Sequence, residues 1–197
     1  GAAWSIPAIA VAVAAPASAS GSNPLRPAAL RIDTDCLLGV AGVNVGFGFS
    51  VSNTGQTAYA NAVSVTETIV LSGALAAPLF RDLVWTIIAI EGALGAGTSG
   101  VTRGSWSTPV NTGGVFGPHT STSSRTVTVT APLAAASKRS WGYLLGVIQA
   151  LELLNIVGFN LANLSHTASI TNPTGNPPVV TSSASVDWTL VSTSCAA

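Results

Sequence analysis

The sequence predicts an all-β protein in which two sheets pack as a sandwich behind an extended apolar N-terminal strand. Short stretches that alternate apolar residues with Ser or Thr recur along the 197 residues, as at 63–70 and 125–130, and turn signals rich in Gly, Pro and Asn separate them. Hydrophobic residues make up 48% of the chain, which is ample for a core. At this length we expect one sandwich domain, residues 23–197, preceded by an assembly segment, residues 1–22.

The N-terminal segment has the periodicity of a strand. Pro7 and Pro16 bracket a run in which bulky β-branched residues alternate with Ala. This alternation places Ile9, Val11 and Val13 on one face of an extended strand. The run is shorter than the roughly 20 residues that a transmembrane helix needs, so no stable membrane span is expected. A helix stays open as an alternative, since Ala is the best helix former.

The same segment has the composition of a secretion signal. Residues 6–15 are apolar, and Ala17, Ser18 and Ala19 give the small-x-small pattern that signal peptidase recognises. Residues 1–16 resemble the apolar part of export signals in surface proteins of high-GC Gram-positive bacteria, without the basic region that precedes it there. The resemblance implies either pilin-type processing, which leaves the segment on the mature protein, or a retained signal peptide.

Charge is sparse throughout the chain. Only 7% of the residues are Asp, Glu, Lys or Arg, against about 25% in ordinary globular domains, and the formal net charge is +0. Binding to nucleic acid is disfavoured, because it requires a basic surface. A net charge near zero also promotes association between monomers.

The two cysteines favour an extracellular location. Cys36 lies near the start of the body and Cys195 near the end of the chain, and their spacing does not suggest a metal site. We expect a disulfide between them that ties the C-terminus to the first strand of the body.

The body strands follow in order along the chain. They are predicted at 29–33, 43–52, 63–70, 83–90, 125–130, 141–148, 165–171 and 183–192. The run at 83–90 is apolar throughout, so we expect a strand buried on both faces. The Gly/Ser/Thr/Pro-rich stretch 92–124 predicts a surface excursion with a hairpin tip near 111–114. A short helix or turn is expected after residue 148.

One stretch of the body resembles a known class of module. The chain has the pattern F-x-V-x-N-x-G at 49–55, followed by N-x-V-x-V at 61–65. This arrangement resembles extracellular immunoglobulin-like modules and implies an immunoglobulin-like or jelly-roll-like sandwich. The turn at 53–56 is of a kind that supplies a residue with positive φ.

Thr-rich strands with few charges resemble the subunits of surface fibres, of the TasA/camelysin type or other donor-strand pili. The resemblance implies an extracellular filament in which the N-terminal strand of one subunit inserts into the next copy. Such a head-to-tail contact forms an open homopolymer. The strand would dock through the apolar side chains Trp4, Ile6, Ile9, Val11 and Val13.

Two other hypotheses stay open. The chain could be a monomeric secreted or wall-associated binding module with a surface or glycan target. It could also be a pilin-like subunit with an N-terminal helix. Trp106 and Trp141 are candidates for stacking on sugars, although packing in the core is the favoured interpretation.

The sequence predicts no enzyme, no cofactor and no metal site. His119 and His166 are interpreted as a turn residue and a strand residue, because neither has a Ser and an acid placed beside it as a catalytic triad requires. Asp33 and Asp35 could bind calcium, but an ion pair with Arg31 or simple solvation is favoured.

Overall fold

The computed structural model describes residues 24–38, 45–73, 76–94, 98–114, 118–145, 162–171, 179–188 and 193–197. The predicted assembly segment, with Trp4, Ile6, Ile9, Val11 and Val13, lies outside the described residues, as does the predicted boundary between residues 22 and 23.

The described residues form two antiparallel sheets and one helix. In chain order the elements are β1 (Leu30–Leu38), β2 (Val45–Asn53), β3 (Val63–Gly73), α1 (Pro78–Leu94), β4 (Val101–Arg103), β5 (Val110–Thr112), β6 (Thr120–Val129), β7 (Lys138–Leu145), β8 (Ala162–Thr171), β9 (Val179–Trp188) and β10 (Thr193–Ala196). The small sheet has the order β1-β2-β7, and the large sheet has the order β10-β9-β8-β3-β6-β4 with β5 also paired to β6. The predicted all-β sandwich is confirmed.

Strict alternation along the strands builds the core between the sheets. In β3, every second side chain is buried from Val63 to Leu71, whereas Ser64 and Thr66 are exposed. Strands β6 and β8 repeat this pattern, and their buried positions lie opposite the buried positions of β3 in the register. The small sheet covers this inner face with the aromatic side chains Phe47, Phe49, Trp141 and Tyr143.

The strand predicted at 83–90 is wrong, because this run lies within helix α1. A continuous apolar run does not distinguish a doubly buried strand from a buried helix. Pro78 takes the first helical position, where its missing N–H is not needed. Leu83 and Ile90 are exposed on one side of the helix. The buried side chains recur at helical spacing, as Val84, Trp85 and Ile88.

The surface excursion predicted at 92–124 contains the short strands β4 and β5, which both pair with β6. Strands β5 and β6 form the predicted hairpin, with Thr112 opposite Thr120. The tip predicted near 111–114 is displaced, because residues 111 and 112 belong to β5 and the connection begins at Gly113. Gly113 follows β5 with a φ of 104°, a conformation that suits glycine. Strand β6 begins at Thr120, earlier than the strand predicted at 125–130. Strand β7 confirms the prediction at 141–148 as far as Leu145, and the segment after it lies outside the described residues.

The turn after β2 does not supply the positive φ that was expected there. Instead, the buried side chain of Asn53 organises the turn through hydrogen bonds to the backbone. Its carbonyl oxygen accepts from the N–H of Ala29 at 3.1 Å and from that of Gly55 at 3.0 Å. Its amide donates to the carbonyl of Thr57 at 2.8 Å. Gly55 is required for another reason, because a Cβ there would overlap the Pro27 carbonyl.

The sandwich is closed along both of its long sides. The predicted disulfide is confirmed: Cys36 in β1 and Cys195 in β10 are bonded, with their Cα atoms 5.8 Å apart. It joins an edge strand of the small sheet to an edge strand of the large one. On the opposite side α1 contacts β7, and Trp85 Nε1 donates to Ser121 Oγ of β6 at 2.8 Å.

Candidate functional site

A pair of opposite charges lies in the middle of the large sheet. Glu67 in β3 and Arg125 in β6 are directly opposed in the register, and both point into the core. Arg125 Nε donates to Glu67 Oε2 at 2.5 Å, and the two side chains are 2% and 0% exposed. Removing two charges from water is costly, so such a pair needs close geometry and further hydrogen bonds.

The small sheet supplies one of those further hydrogen bonds. Trp141 in β7 donates its indole N–H to Glu67 Oε1 at 2.5 Å. One carboxylate therefore accepts from a strand of its own sheet and from a strand of the facing sheet. Glu67 fixes how the two sheets lie on each other.

His166 in β8 and Tyr143 in β7 form a second bridge between the sheets. The Tyr143 hydroxyl lies 2.5 Å from His166 Nδ1, and both side chains are buried. His166 Nε2 is 3.7 Å from Glu67 Oε2, which is just beyond hydrogen-bond distance. With its proton on Nε2, a neutral imidazole accepts from Tyr143 and turns its N–H towards Glu67.

Burial and charge set the protonation of these groups. Burial alone would raise the pKa of Glu67, but His166, Arg125 and Trp141 together lower it to about 2. Burial lowers the pKa of His166 below its ordinary value, so the ring is neutral near pH 7. Burial raises the pKa of Tyr143 well above its ordinary value, and the negative charge of Glu67 raises it further. The Glu67 cluster, which consists of Glu67, Arg125, Trp141, Tyr143 and His166, thus holds one carboxylate and one guanidinium.

Aromatic rings surround the cluster. The centroid of Phe49 lies 4.3 Å from that of His166. On the other side, the Arg125 guanidinium carbon is 4.5 Å from the Trp106 ring centroid, a cation–π distance. Trp106 also lies 6.5 Å from Trp85 of α1, centroid to centroid. These contacts hold the Arg125 side chain in one position.

A cleft of about 550 Å³ opens beside Arg125, where α1 approaches the edge of the large sheet. The chain between β4 and β5 runs along β6 there, with Gly104 N–H bonded to the Thr126 carbonyl at 2.8 Å. A Cβ on Gly104 would come within 2.9 Å of that carbonyl oxygen, so only glycine fits without a shift. This Arg125 cleft is lined chiefly by Ala89, Thr102, Arg103, Ser105, Trp106 and Arg125.

The candidate residues named from the sequence fall in different places. Cys36 and Cys195 are brought together, at the side of the sandwich. Asp33 pairs with Arg31 at 2.7 Å on the surface, as favoured from the sequence. Among the described residues no group of three or more His, Cys, Asp or Glu side chains could hold a metal ion.

The tryptophan and histidine side chains lie partly where the sequence predicted them. Trp141 belongs to the core, whereas Trp106 is half-buried and lines the Arg125 cleft. His166 lies on a strand as expected, and His119 comes directly before β6. The sequence did not predict that His166 belongs to a buried polar cluster.

Sequence reasoning missed the pairing of Glu67 with Arg125, although a signal was present. The alternation at 63–70 puts Glu67 on the same side as its buried Val and Ile neighbours. Likewise, Arg125 shares its side of the strand with Val127 and Val129. Two opposite charges on the inward faces of predicted strands indicate a buried ion pair, because a lone charge there would be very unfavourable.

No known family model matches this chain, and no curated protein shows significant sequence similarity to it. In the part of the chain that the structure describes, no helix combines the length and apolar character needed to cross a membrane. The site is therefore interpreted from its own geometry.

Proposed function

We propose that the chain is an exported β-sandwich module that binds a ligand at the cell surface through the Arg125 cleft. The cleft is the observation that carries the proposal. Its wall combines the indole ring of Trp106 with the hydroxyl side chains of Thr102 and Ser105, and its volume lies in the range of small-molecule sites. It is also preformed, since the Glu67 cluster holds Arg125 in place.

The disulfide supports an extracellular location. Cys36 and Cys195 join the edges of the two sheets, a structural position for the bond. Disulfides of this kind persist in oxidising compartments and are rare in the cytosol.

The role that we propose is not catalytic. The proton-transfer groups of the cluster are enclosed: His166 and Glu67 are 0% exposed and Tyr143 is 4% exposed. Tyr143 and His166 Nδ1 satisfy each other, and Glu67 is held by Arg125 and Trp141. These contacts favour a role in positioning Arg125 at the cleft.

A binding experiment tests this function. The purified, oxidised chain is mixed with cell-wall fragments of the producing organism, and the bound fraction is measured by sedimentation. Ala89→Phe places a bulky ring at the mouth of the cleft and should abolish binding. Ile90→Glu alters the same helix at a side chain that is 55% exposed and should leave binding unchanged. Equal binding by Ala89→Phe and the parent chain would refute the proposal.

Assembly into a filament is a second candidate function. It is favoured by the outward side of β3, β6 and β8, where Ser and Thr predominate and the described positions carry no charged side chain. Examples are Ser64, Thr66, Thr126, Thr128, Ser165 and Thr167. Little electrostatic repulsion would oppose packing of such faces between copies. The joint would be the N-terminal strand with Ile9, Val11 and Val13.

Val11→Asp tests the filament hypothesis. A carboxylate buried in a neighbouring subunit without a partner costs several kcal/mol, so the variant should stay monomeric with a folded body. Electron microscopy of the parent and the variant shows the difference. Filaments that persist in Val11→Asp would exclude docking through this strand.

A further inference from the structure

We propose that a second cleft, on the outer face of the large sheet, binds a neutral saccharide. This Tyr59 cleft has a volume of about 310 Å³ and lies at the end of the sheet where β3 begins and β8 ends. Its volume is at the lower end of the range of small-molecule sites. The Tyr59 cleft shares no lining residue with the Arg125 cleft, so binding here is independent of the function proposed above.

Hydroxyl side chains form the floor of the Tyr59 cleft. Thr66 of β3 and Ser169 of β8 are directly opposed in the register and both point outward, because their neighbours in each strand are buried. Ser64 and Thr171 have the same orientation at the next outward positions of the two strands, and both are exposed. The floor therefore presents four hydroxyl groups on two paired strands.

The wall beside this floor is apolar. Tyr59 precedes β3, and its backbone is fixed by two hydrogen bonds with Leu133, both 2.9 Å long. Its ring is half-buried and lines the cleft together with Val179, which is 50% exposed. A tyrosine combines an apolar ring with a polar tip. It can thus contact both the C–H face and the hydroxyl groups of a sugar.

The polar groups of the cleft are available to a ligand. Among the residues that the structure describes, no hydrogen bond occupies the side-chain hydroxyls of Ser64, Thr66 and Thr171 or the phenol of Tyr59. Each of these groups can donate one hydrogen bond and accept others. The hydroxyl groups of a sugar have the same capacity, so the two surfaces are complementary.

The absence of charge from the lining favours a neutral ligand. The described side chains that line the Tyr59 cleft include no Asp, Glu, Lys, Arg or His. A charged ligand would lose part of its hydration there without meeting an opposite charge, which is costly. A neutral saccharide exchanges its hydrogen bonds with water for hydrogen bonds with the hydroxyl floor.

Calorimetric titration of the full-length, oxidised chain tests this proposal. The probes are a neutral β-1,4-linked glucose oligomer, a neutral N-acetylglucosamine oligomer and an anionic galacturonic acid oligomer. We expect at least one neutral probe to bind about tenfold or more tightly than the anionic one. Its affinity should change little as salt is added, because no charge takes part in the contact.

A matched pair of variants assigns the binding to the floor of the cleft. Thr66→Val removes one hydroxyl and keeps the shape of the side chain, so it should weaken the neutral probe about fivefold. Thr122→Val makes the same change on the outward side of β6, opposite Val70 and outside the cleft, and should leave the affinity unchanged.

A second pair of variants tests the wall. Tyr59→Leu removes the ring and should weaken binding about tenfold or more, whereas Tyr59→Phe keeps the ring and should retain affinity to within about threefold. Because Tyr59→Leu could disturb the packing near Leu133, its thermal unfolding is compared with that of the parent. Thr66→Val keeps the test decisive if Tyr59→Leu does not fold.

The outcomes separate this site from the Arg125 cleft. Ala89→Phe should leave saccharide binding unchanged; if it abolishes that binding, the saccharide occupies the Arg125 cleft and the proposal is overturned. Neutral binding that is unaffected by both Thr66→Val and Tyr59→Leu would place the ligand elsewhere and overturn the site. Binding of neither neutral probe, or tighter binding of the anionic one, would also overturn the proposal, yet cell-wall binding that Ala89→Phe abolishes would still support the function of the Arg125 cleft.

Discussion

Glu67 and Arg125 face each other across β3 and β6 in the centre of the sandwich, with 2.5 Å between Oε2 and Nε. The pair connects the core to the Arg125 cleft, because the same guanidinium that balances the carboxylate also lines the cleft. Stability and the proposed binding site therefore depend on one contact.

Glu67→Gln should destabilise the fold strongly. The substitution leaves the Arg125 charge buried without its counter-ion, and breaking a buried pair in this way costs about 3 to 5 kcal/mol. Urea denaturation gives the free energy of unfolding. The control is Asp33→Asn, which breaks the exposed pair with Arg31 and should cost less than about 1 kcal/mol. A Glu67→Gln protein as stable as the control would show that the ion pair contributes little.

The double variant Glu67→Leu with Arg125→Met should be much more stable than Glu67→Gln. Replacing a buried pair with apolar residues of similar volume is often neutral for stability. The proposed ligand binding should nevertheless be weakened, since the Arg125 guanidinium that packs on Trp106 is lost from the wall of the cleft. Urea denaturation and sedimentation of the same sample with cell-wall fragments separate the two effects. A stable double variant that still binds with the parent's affinity would contradict the proposed role of Arg125 in ligand binding.

The alternation of apolar and polar residues in the sequence predicts much of the arrangement around Glu67. The residues of β3 that point inward could be identified from the pattern at 63–70, and Glu67 is among them. What the pattern could not give is the partner strand, because β3 lies between β6 and β8, which are distant in sequence. The position of Tyr143 and Trp141 against Glu67 depends on how two separate sheets stack, and no local pattern encodes that.

Acid should weaken the fold in two steps. The pKa of His166 is lowered from 6.5 in the folded chain, so below pH 6.5 the unfolded chain takes up a proton that the folded chain does not. Stability therefore falls as the pH decreases through this range. The pKa of Glu67 is lowered from 4.5 to about 2, which adds a second loss between these values.

Urea midpoints measured between pH 8 and pH 3 check the two steps. His166→Gln should remove the first loss and reduce the second, because His166 is one of the groups that lower the pKa of Glu67. His119→Gln is the matched control, because this histidine lies outside the cluster, and it should keep both losses. A parent protein whose stability does not change between pH 7 and pH 5 would contradict the buried neutral state of His166.

Tyr143→Phe should lower the free energy of unfolding by about 1 to 3 kcal/mol. His166 Nδ1 would then be buried without a hydrogen-bond donor. The parent should also lose stability above about pH 10, where the unfolded tyrosine ionises and the folded one, with its raised pKa, stays neutral. Tyr59→Phe serves as the control at a half-buried tyrosine whose backbone pairs with Leu133. Equal stability of the two variants would show that the Tyr143 hydroxyl is dispensable.

The hydrophobic pattern at 83–90 does not distinguish a helix from a strand. At 83–90 apolar residues occupy every position but one, so period 2 and period 3.6 fit equally well. Tertiary packing decides between them. Helix α1 closes the side of the sandwich opposite the disulfide, and it buries Val84 and Ile88 against the sheets while Leu83 stays exposed.

Loss of the disulfide should open one side of the sandwich and leave the other intact. Cys36 and Cys195 are 159 residues apart in sequence, and closing so long a loop is worth on the order of 4 to 5 kcal/mol in the chain-entropy model. We expect the double variant Cys36→Ser, Cys195→Ser to unfold at a lower temperature by calorimetry. Hydrogen exchange should increase in β1 and β10 and change little in α1 and β7, because the contact of the helix with β7 does not involve the bond. Uniformly faster exchange across both sides would instead mean that the disulfide stabilises the sandwich as a whole.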